Sequence, residues 1–307
     1  MQRGRILLYL GTIVVLLALV ISWYGFAFVQ AAEPQDSQFD GQRALDDVRR
    51  QVEFGPRIPG TEGHEKTVAW IEAEIAAAGW TVQRQSTTSL GYPIINLIAF
   101  RTQDAPQVLV GAHFDTRVLA DRDPDLGLRS TAVPGANDGA SGVAVLLELA
   151  RSLPFDTVPI WLVFFDAEDN GRIPGWDWLL GSRAFVSEMT ARPDKMILVD
   201  MVGDSDLQIL IEGKSDPDLS ASIWATAARL GYEDAFLPQI GPAILDDHVP
   251  FLEAGIPAVD IIDIDYAYWH TTNDTPDKVS AASLQTVGDV LWTWLLEQGM
   301  PDDGPGH

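Results

Sequence analysis

Two short runs of this chain, residues 107–114 and 160–166, are apolar at almost every position. Successive side chains of a strand point to opposite faces, so a strand without a polar side is covered on both. Helices are the expected cover, because apolar residues recur at helical spacing around these runs: Ala44, Leu45, Val48 and Val52, then Val68, Ile71 and Ile75, then Val143, Leu146, Leu147 and Ala150 across 141–153. Phe54-Gly-Pro-Arg-Ile-Pro-Gly-Thr61 separates the first two helices as a loop. Further strands are expected at 80–85, 94–101, 195–201, 207–212 and 256–262. Further helices are expected at 219–230, 247–254 and 280–296, the last with Leu284, Val287, Leu291 and Leu295 turned inward. This order predicts an α/β fold, a three-layer α/β/α sandwich around a central mixed, mostly parallel sheet. One domain, 32–298, holds all of it, with no internal repeat and no dividing linker.

Residues 6–29 carry no charge and follow Arg3 and Arg5. A helix of about 20 apolar residues crosses a bilayer, whereas a cleavable signal has a core of roughly 7–15. Residues 1–31 are therefore expected to be a transmembrane anchor, with a cleaved signal sequence as the alternative. Basic residues before the span and acidic ones after it put the body outside the cytoplasm, tethered to the membrane, or secreted if cleaved. Residues 299–307, rich in Gly, Pro and Asp, read as a flexible tail. The chain has 44 acidic and 20 basic side chains, a formal net charge of −24. Phosphate contacts need clustered Lys and Arg, so no nucleic-acid partner is expected. With no cysteine, a thiolate nucleophile and a Cys-type zinc site are both excluded, and any metal must be held by His, Asp and Glu.

Open α/β sheets bind ligands beyond the carboxyl ends of their strands, and the polar residues of this chain gather there. Val110-Gly-Ala-His113-Phe-Asp115 ends a strand with His113 and Asp115 on one face. Pro134-Gly-Ala-Asn-Asp138-Gly-Ala-Ser-Gly142 opens a helix with small residues and exposes Asp138. The strand 160–166 runs into Ala167-Glu168-Asp169, another strand stops at Asp200, and Tyr268-Trp-His270 follows the last. Taken singly, each has an ordinary explanation. Asp138 can cap its helix, Glu168 and Asp169 can form an acidic turn, Asp200 can start one, and His270 can pack beside Trp269. Together they are harder to explain so, because carboxylates converging on one edge repel unless a cation or shared protons offset them.

These segments, in this order, resemble the zinc aminopeptidase superfamily (metallopeptidase clan MH), which also contains the animal-type and bacterial glutaminyl cyclases. The resemblance spans about 54–296. It rests on Gly55-Pro-Arg-Ile-Pro-Gly-Thr-Glu-Gly63, His113-Phe-Asp115, Asn137-Asp138-Gly-Ala-Ser-Gly142, Asp166-Ala-Glu168-Asp169, Leu180-Gly-Ser-Arg183, Val199-Asp200-Met-Val-Gly203, Asp246-Asp247-His248-Val-Pro-Phe251 and Trp269-His270-Thr271. It implies a zinc ion held by Asp138, Asp169 and His270. A second ion would use His113 and Asp200, with Asp138 bridging. It also implies Glu168 as the catalytic acid–base and Asp115 as the partner that orients His113.

Two activities share such a site. In a glutaminyl cyclase, an N-terminal Gln closes on itself to pyroglutamate and ammonia leaves; in an aminopeptidase, a water cleaves the first peptide bond. The segment around Asp246, whose carboxylate would bond with Asp200, leans towards the cyclase. So do the Glu168-Asp169 pair and Trp269 before the ligand His270, with Trp176 or Trp178 as a second wall of the substrate pocket. Core or surface packing is the ordinary alternative for those two tryptophans. Against this, Asp260 stands where animal cyclases carry a pocket histidine, and His113 with Asp200 leaves room for two metals. The expected function is a zinc-dependent glutaminyl-peptide cyclotransferase acting on the N-termini of peptides or proteins. The alternatives are a zinc aminopeptidase and an inactive, membrane-anchored binding domain of the same fold.

Overall fold

A computed structural model of the chain describes residues 37–299. The expected anchor or signal at 1–31, and all but the first residue of the expected tail, lie outside the described residues. Among the described residues, no helix is long and apolar enough to cross a membrane.

Helices α1 (Gly41–Glu53) and α2 (Glu62–Ala77) lead into a hairpin of β1 (Thr81–Ser89) and β2 (Tyr92–Phe100), followed by β3 (Val108–His113). Then come α3 (Ala140–Ser152), β4 (Ile160–Phe165), α4 (Leu180–Glu188), β5 (Lys195–Asp200) and β6 (Ile209–Ile211). The chain continues through α5 (Pro217–Arg229), β7 (Phe236–Ile240), α6 (Val249–Glu253), β8 (Ala258–Ile262) and α7 (Ala281–Glu297). Six strands form the main sheet in the order β1-β2-β4-β3-β5-β8. The pairings β4–β3, β3–β5 and β5–β8 are parallel, and β1–β2 and β2–β4 antiparallel. The sheet is thus mixed and mostly parallel, as the sequence predicts.

Strand parity divides the core. Val108, Val110 and Ala112 of β3, Leu162 and Phe164 of β4, and Ile197 and Val199 of β5 share one apolar cluster with α1, α2, α3, α5 and α7. Their neighbours Leu109, Val163, Phe165, Met196 and Leu198 join a second cluster with Phe185 of α4 and Phe251 of α6. Burying each of these large side chains contributes about 1.5–3 kcal/mol, so a one-residue slip in any central strand would exchange its two faces wholesale. Helix starts carry local signals: Asp40, Thr61, Asp216 and Ser280 each accept backbone N–H groups of the helix they open.

Three elements depart from expectation for local reasons. The first strand runs on to Ser89 because Leu90 and Gly91, both at positive φ, close a tight two-residue turn. Helix α4 has no sequence announcement: it starts after Leu179, in the left-handed region at φ 61° with no side-chain cap. The expected strand 207–212 shrinks to three residues and pairs with β7, which carries Pro238 and was not foreseen.

Helix α3 lies against the sheet through its glycines. A Cβ on Gly142 would sit 2.1 Å from the backbone oxygen of Val199, and one on Gly139 would sit 2.4 Å from that of His113. Gly142→Ala should push α3 off β5 and lower unfolding stability by about 1–3 kcal/mol, read as a lower denaturant midpoint at unchanged slope. An unchanged midpoint would mean that this contact is not tight.

Candidate metal centre

The sheet order brings the important strand ends side by side. β4, β3 and β5 are parallel neighbours, so Phe165, His113 and Asp200 finish at one edge. His113 and Asp200 occupy strand positions of the same parity as Leu109 and Leu198, so both start from the α4–α6 side of the sheet. The close approach of α3 sets Asp138 between them. Asp138 is not a helix cap: Gly139 takes that position, with no side-chain bond to the helix. The loop after β8 returns to add His270.

Two trios of buried donors result, sharing Asp138. In the first, His113 Nε2 lies 3.1 Å from Asp138 Oδ1 and 3.1 Å from Asp200 Oδ1. In the second, His270 Nε2 lies 2.9 Å from Asp169 Oδ1 and 3.7 Å from Asp138 Oδ2. Each trio offers one atom per residue, all within 4.8 Å of one another. Asp138 Oδ2 and Asp169 Oδ2 are buried and accept no hydrogen bond. Unpaired buried carboxylate oxygens are costly, and a divalent cation bound by oxygen and imidazole would satisfy them. The donor set therefore fits a metal of the zinc type.

The support around the trios is partly what the sequence suggested and partly new. Asp115 accepts the backbone N–H of Glu168 at 2.9 Å and of Asp169 at 3.2 Å, and its Oδ1 stands 3.4 Å from His113 Nδ1. It therefore holds the acidic turn and stands beside the histidine. Asp274, not anticipated, does the same for the helix entrance: it accepts from the N–H groups of Asn137 and Asp138 and from the Tyr266 hydroxyl. Arg57 is fully buried, and its guanidinium donates to the backbone oxygens of Phe114, Pro134 and Gly135. Arg117 donates to the Asp169 carbonyl at 2.6 Å. An arginine between two prolines, in Pro56-Arg-Ile-Pro59, was the available signal for Arg57; Asp274 and Arg117 had none that local pattern reveals.

Crowding shows in the titration of these groups. Burial, reinforced by the charge of Asp138, pushes Asp169 up to about 6. Burial and Asp200 push Asp246 up to about 7, and burial with Asp138 does the same for Asp274. Glu168 is driven well above the usual carboxylate range by burial, then by Asp246. Asp138 goes the other way: burial opposes it, but the hydrogen bond and charge of His113 hold it below its ordinary value. For Arg57 burial lowers the guanidinium to about 10, still cationic at neutral pH. Strain gathers here as well. Ala167, Met201 and His270 adopt φ of 53°, 46° and 56°, left-handed conformations that residues other than Gly seldom take. Each is a donor or lies within two residues of one.

The site opens on a cleft of about 340 Å³. Asp138, Glu168, Asp169, Asp200 and Asp246 line it, as do Trp178 and Trp269. Both rings flank His270, with centroids 6.4 and 4.0 Å away. Two expected pocket residues need correction. Trp176 stacks on Tyr92 at 3.6 Å, turned into a small apolar cluster instead of the cleft. Asp260 pairs in the sheet with Leu198, a step inward from Asp200, and faces His248 at 3.5 Å beneath the cleft floor.

Residues 96–295, which include every member of both trios, match peptidase family M28. The chain belongs to that family. Among solved M28-like folds, a glutaminyl cyclase from Porphyromonas gingivalis superimposes with a TM-score of 0.81 at 35% identity, covering 85% of this chain and 99% of that one. A leucine aminopeptidase precursor from Bacteroides thetaiotaomicron reaches the same TM-score at 32% identity, over 86% and 99%. The glutaminyl-peptide cyclotransferase of Boiga irregularis is 27% identical over 78% of this chain and 77% of its own length. This M28 chain is thus similar both to cyclases and to exopeptidases.

Removing a supporting group should loosen metal without removing a ligand. Asp115→Ala and Asp274→Ala should each weaken zinc binding about 10–100-fold, and Asp138→Ala should abolish it, measured by competition with a chromogenic chelator. Equal affinity in Asp138→Ala and the unaltered protein would refute the centre.

Proposed function

We propose that this M28 protein is a zinc-dependent glutaminyl-peptide cyclotransferase, converting the N-terminal Gln of peptides and proteins to pyroglutamate outside the cytoplasm. The observation that carries the reading is the cleft floor. One ion would need only Asp138, Asp169 and His270, which leaves Glu168, Asp200 and Asp246 together on the same surface. Hydrolysis asks for one acid–base beside a water. Cyclisation asks for a proton to travel between two nitrogens of one substrate, and a buried group of acids serves that need.

Zinc held by Asp138, Asp169 and His270 would supply Lewis acidity, polarising the γ-carbonyl of the substrate. The residues of the chain do the rest. Trp178 and Trp269 flank the glutamine side chain and exclude water from it, which matters because water would compete with the amine. Holding the α-amine against the γ-carbon makes the attack intramolecular, and positioning alone can then remove much of the barrier. As the amine nitrogen bonds to that carbon, Glu168 takes a proton from it. Glu168 then returns the proton to the amide nitrogen, the carbon–nitrogen bond breaks, and ammonia departs. Asp246 and Asp200, beside Glu168, steady the charge it gains and loses.

A second reading, a two-metal aminopeptidase, is favoured by the trio His113, Asp138 and Asp200. The two differ in products. A Gln-initiated peptide should release ammonia and keep its residue count, while Leu- and Ala-initiated peptides stay intact; free amino acid without ammonia would replace the cyclase with the peptidase. Glu168→Gln should lower kcat by about two to four orders of magnitude while zinc content stays constant, which also separates an enzyme from an inert binding domain. Loss of zinc in that variant would place Glu168 among the ligands.

A further inference from the structure

The cleft has a floor and a mouth that differ in chemistry. Its five acidic lining residues are all buried, at 7% exposure or less. Its exposed lining residues are Arg172, Pro242, Ala243 and Leu245. The mouth is thus three apolar side chains and one cation, in a chain whose acids outnumber its bases 44 to 20. Arg172 is the one cation among the described residues that line the cleft. Other arginines are taken: Arg117 pairs with Asp121, Arg183 with Glu253 and Arg229 with Glu297. Arg172 enters no ion pair and no side-chain hydrogen bond among the described residues, although acidic groups abound. Its backbone sits at φ 61°, in the left-handed region. That costs on the order of 1 kcal/mol for a residue with a side chain, where a glycine would cost nothing.

Depth decides what such a group can meet. A substrate bound by its first residue at the metal end leaves its second residue in the outer part of the cleft, whichever of the two reactions follows. We infer that Arg172 selects substrates carrying a carboxylate just beyond their first residue. Resting on the proposed function, this deepens it: the favoured substrates are N-terminal Gln peptides whose second residue is acidic, or whose chain ends there in a free carboxylate. A guanidinium suits this task, with planar donors that engage both carboxylate oxygens. The apolar neighbours Pro242 and Leu245 supply no competing acceptor. Long-range repulsion by the net charge of −24 works against anionic substrates, so the attraction has to be local, and it weakens with salt.

The test uses three peptides that differ only beyond the first residue: Gln-Ala-NH2, which is neutral there, Gln-Ala with its free carboxylate, and Gln-Glu-NH2 with a side-chain carboxylate. The zinc-loaded protein should show a KM about two- to fivefold lower for at least one carboxylate peptide than for the neutral one, the size an exposed ion pair supports. Which of the two gains identifies the source of the carboxylate. Arg172→Ala should bring the KM ratio near one, Arg172→Glu should invert it, and Arg172→Lys should keep part of it. Raising salt should shrink the ratio in the unaltered protein and leave that of Arg172→Ala unchanged. A ratio that survives Arg172→Ala, or no carboxylate preference in the unaltered protein, overturns the inference. If no Gln peptide releases ammonia, the cyclase reading falls by itself. The same three endings behind an N-terminal Leu, followed by released leucine, then test Arg172 against the same ratios.

Discussion

Seven carboxyl side chains, those of Asp115, Asp138, Glu168, Asp169, Asp200, Asp246 and Asp274, are buried around one sheet edge, and their mutual repulsion is the constraint the rest of the structure answers. In a water-poor setting such groups cannot all ionise without compensation. The protein supplies some. Arg57, with each of its three guanidinium nitrogens bonded to a backbone oxygen, stays cationic beneath the cluster, and Arg117 reaches Asp169 from the side. His113 and His270 stand among the carboxylates. Within this group of seven, two buried carboxylate oxygens accept no hydrogen bond; they belong to Asp138 and Asp169, which with His270 could hold a divalent ion. The same arithmetic of charge favours a cation at this centre.

Geometry here comes from backbone more than from side-chain adaptation. Parallel pairing of β4, β3 and β5 aligns three strand ends, and the glycines of α3 allow a helix to approach strand backbones at a distance no side chain permits. Asp115 and Asp274 then fix the two turns that bear the ligands by accepting their N–H groups. The strained φ values at Ala167, Met201 and His270 are held by this frame. Such strain persists only where surroundings over-determine the conformation, and it leaves donors aimed at a common point before any ligand arrives.

The trios alone admit either reaction, as does similarity to relatives of both kinds. Around them the cleft has acids beyond the need of one ion, tryptophans beside His270 and a mouth with one arginine among its described lining residues. In the proposed reading they bear on proton routing, exclusion of water and choice of the following residue, in that order from floor to mouth.

Much of this was readable from the chain alone. Apolar runs at 107–114 and 160–166 required helices on both faces of a sheet, the strand ends put His113 and Asp200 at its rim, and parity put His113 and Asp115 on one face. The absence of cysteine limited the donors to oxygen and imidazole. These conclusions rest on periodicity and residue chemistry, which act over a few neighbours. Tertiary structure alone decided that Asp274 reaches Asn137 across 137 positions, that Arg57 lies under the centre, and that Trp178 faces the cleft while Trp176 turns to Tyr92. It also placed Asp260 against His248 instead of in the pocket, and left Arg172 unpaired at the mouth. The reason is physical: where a loop side chain points is set by contacts with residues far away in sequence, and no local pattern encodes them.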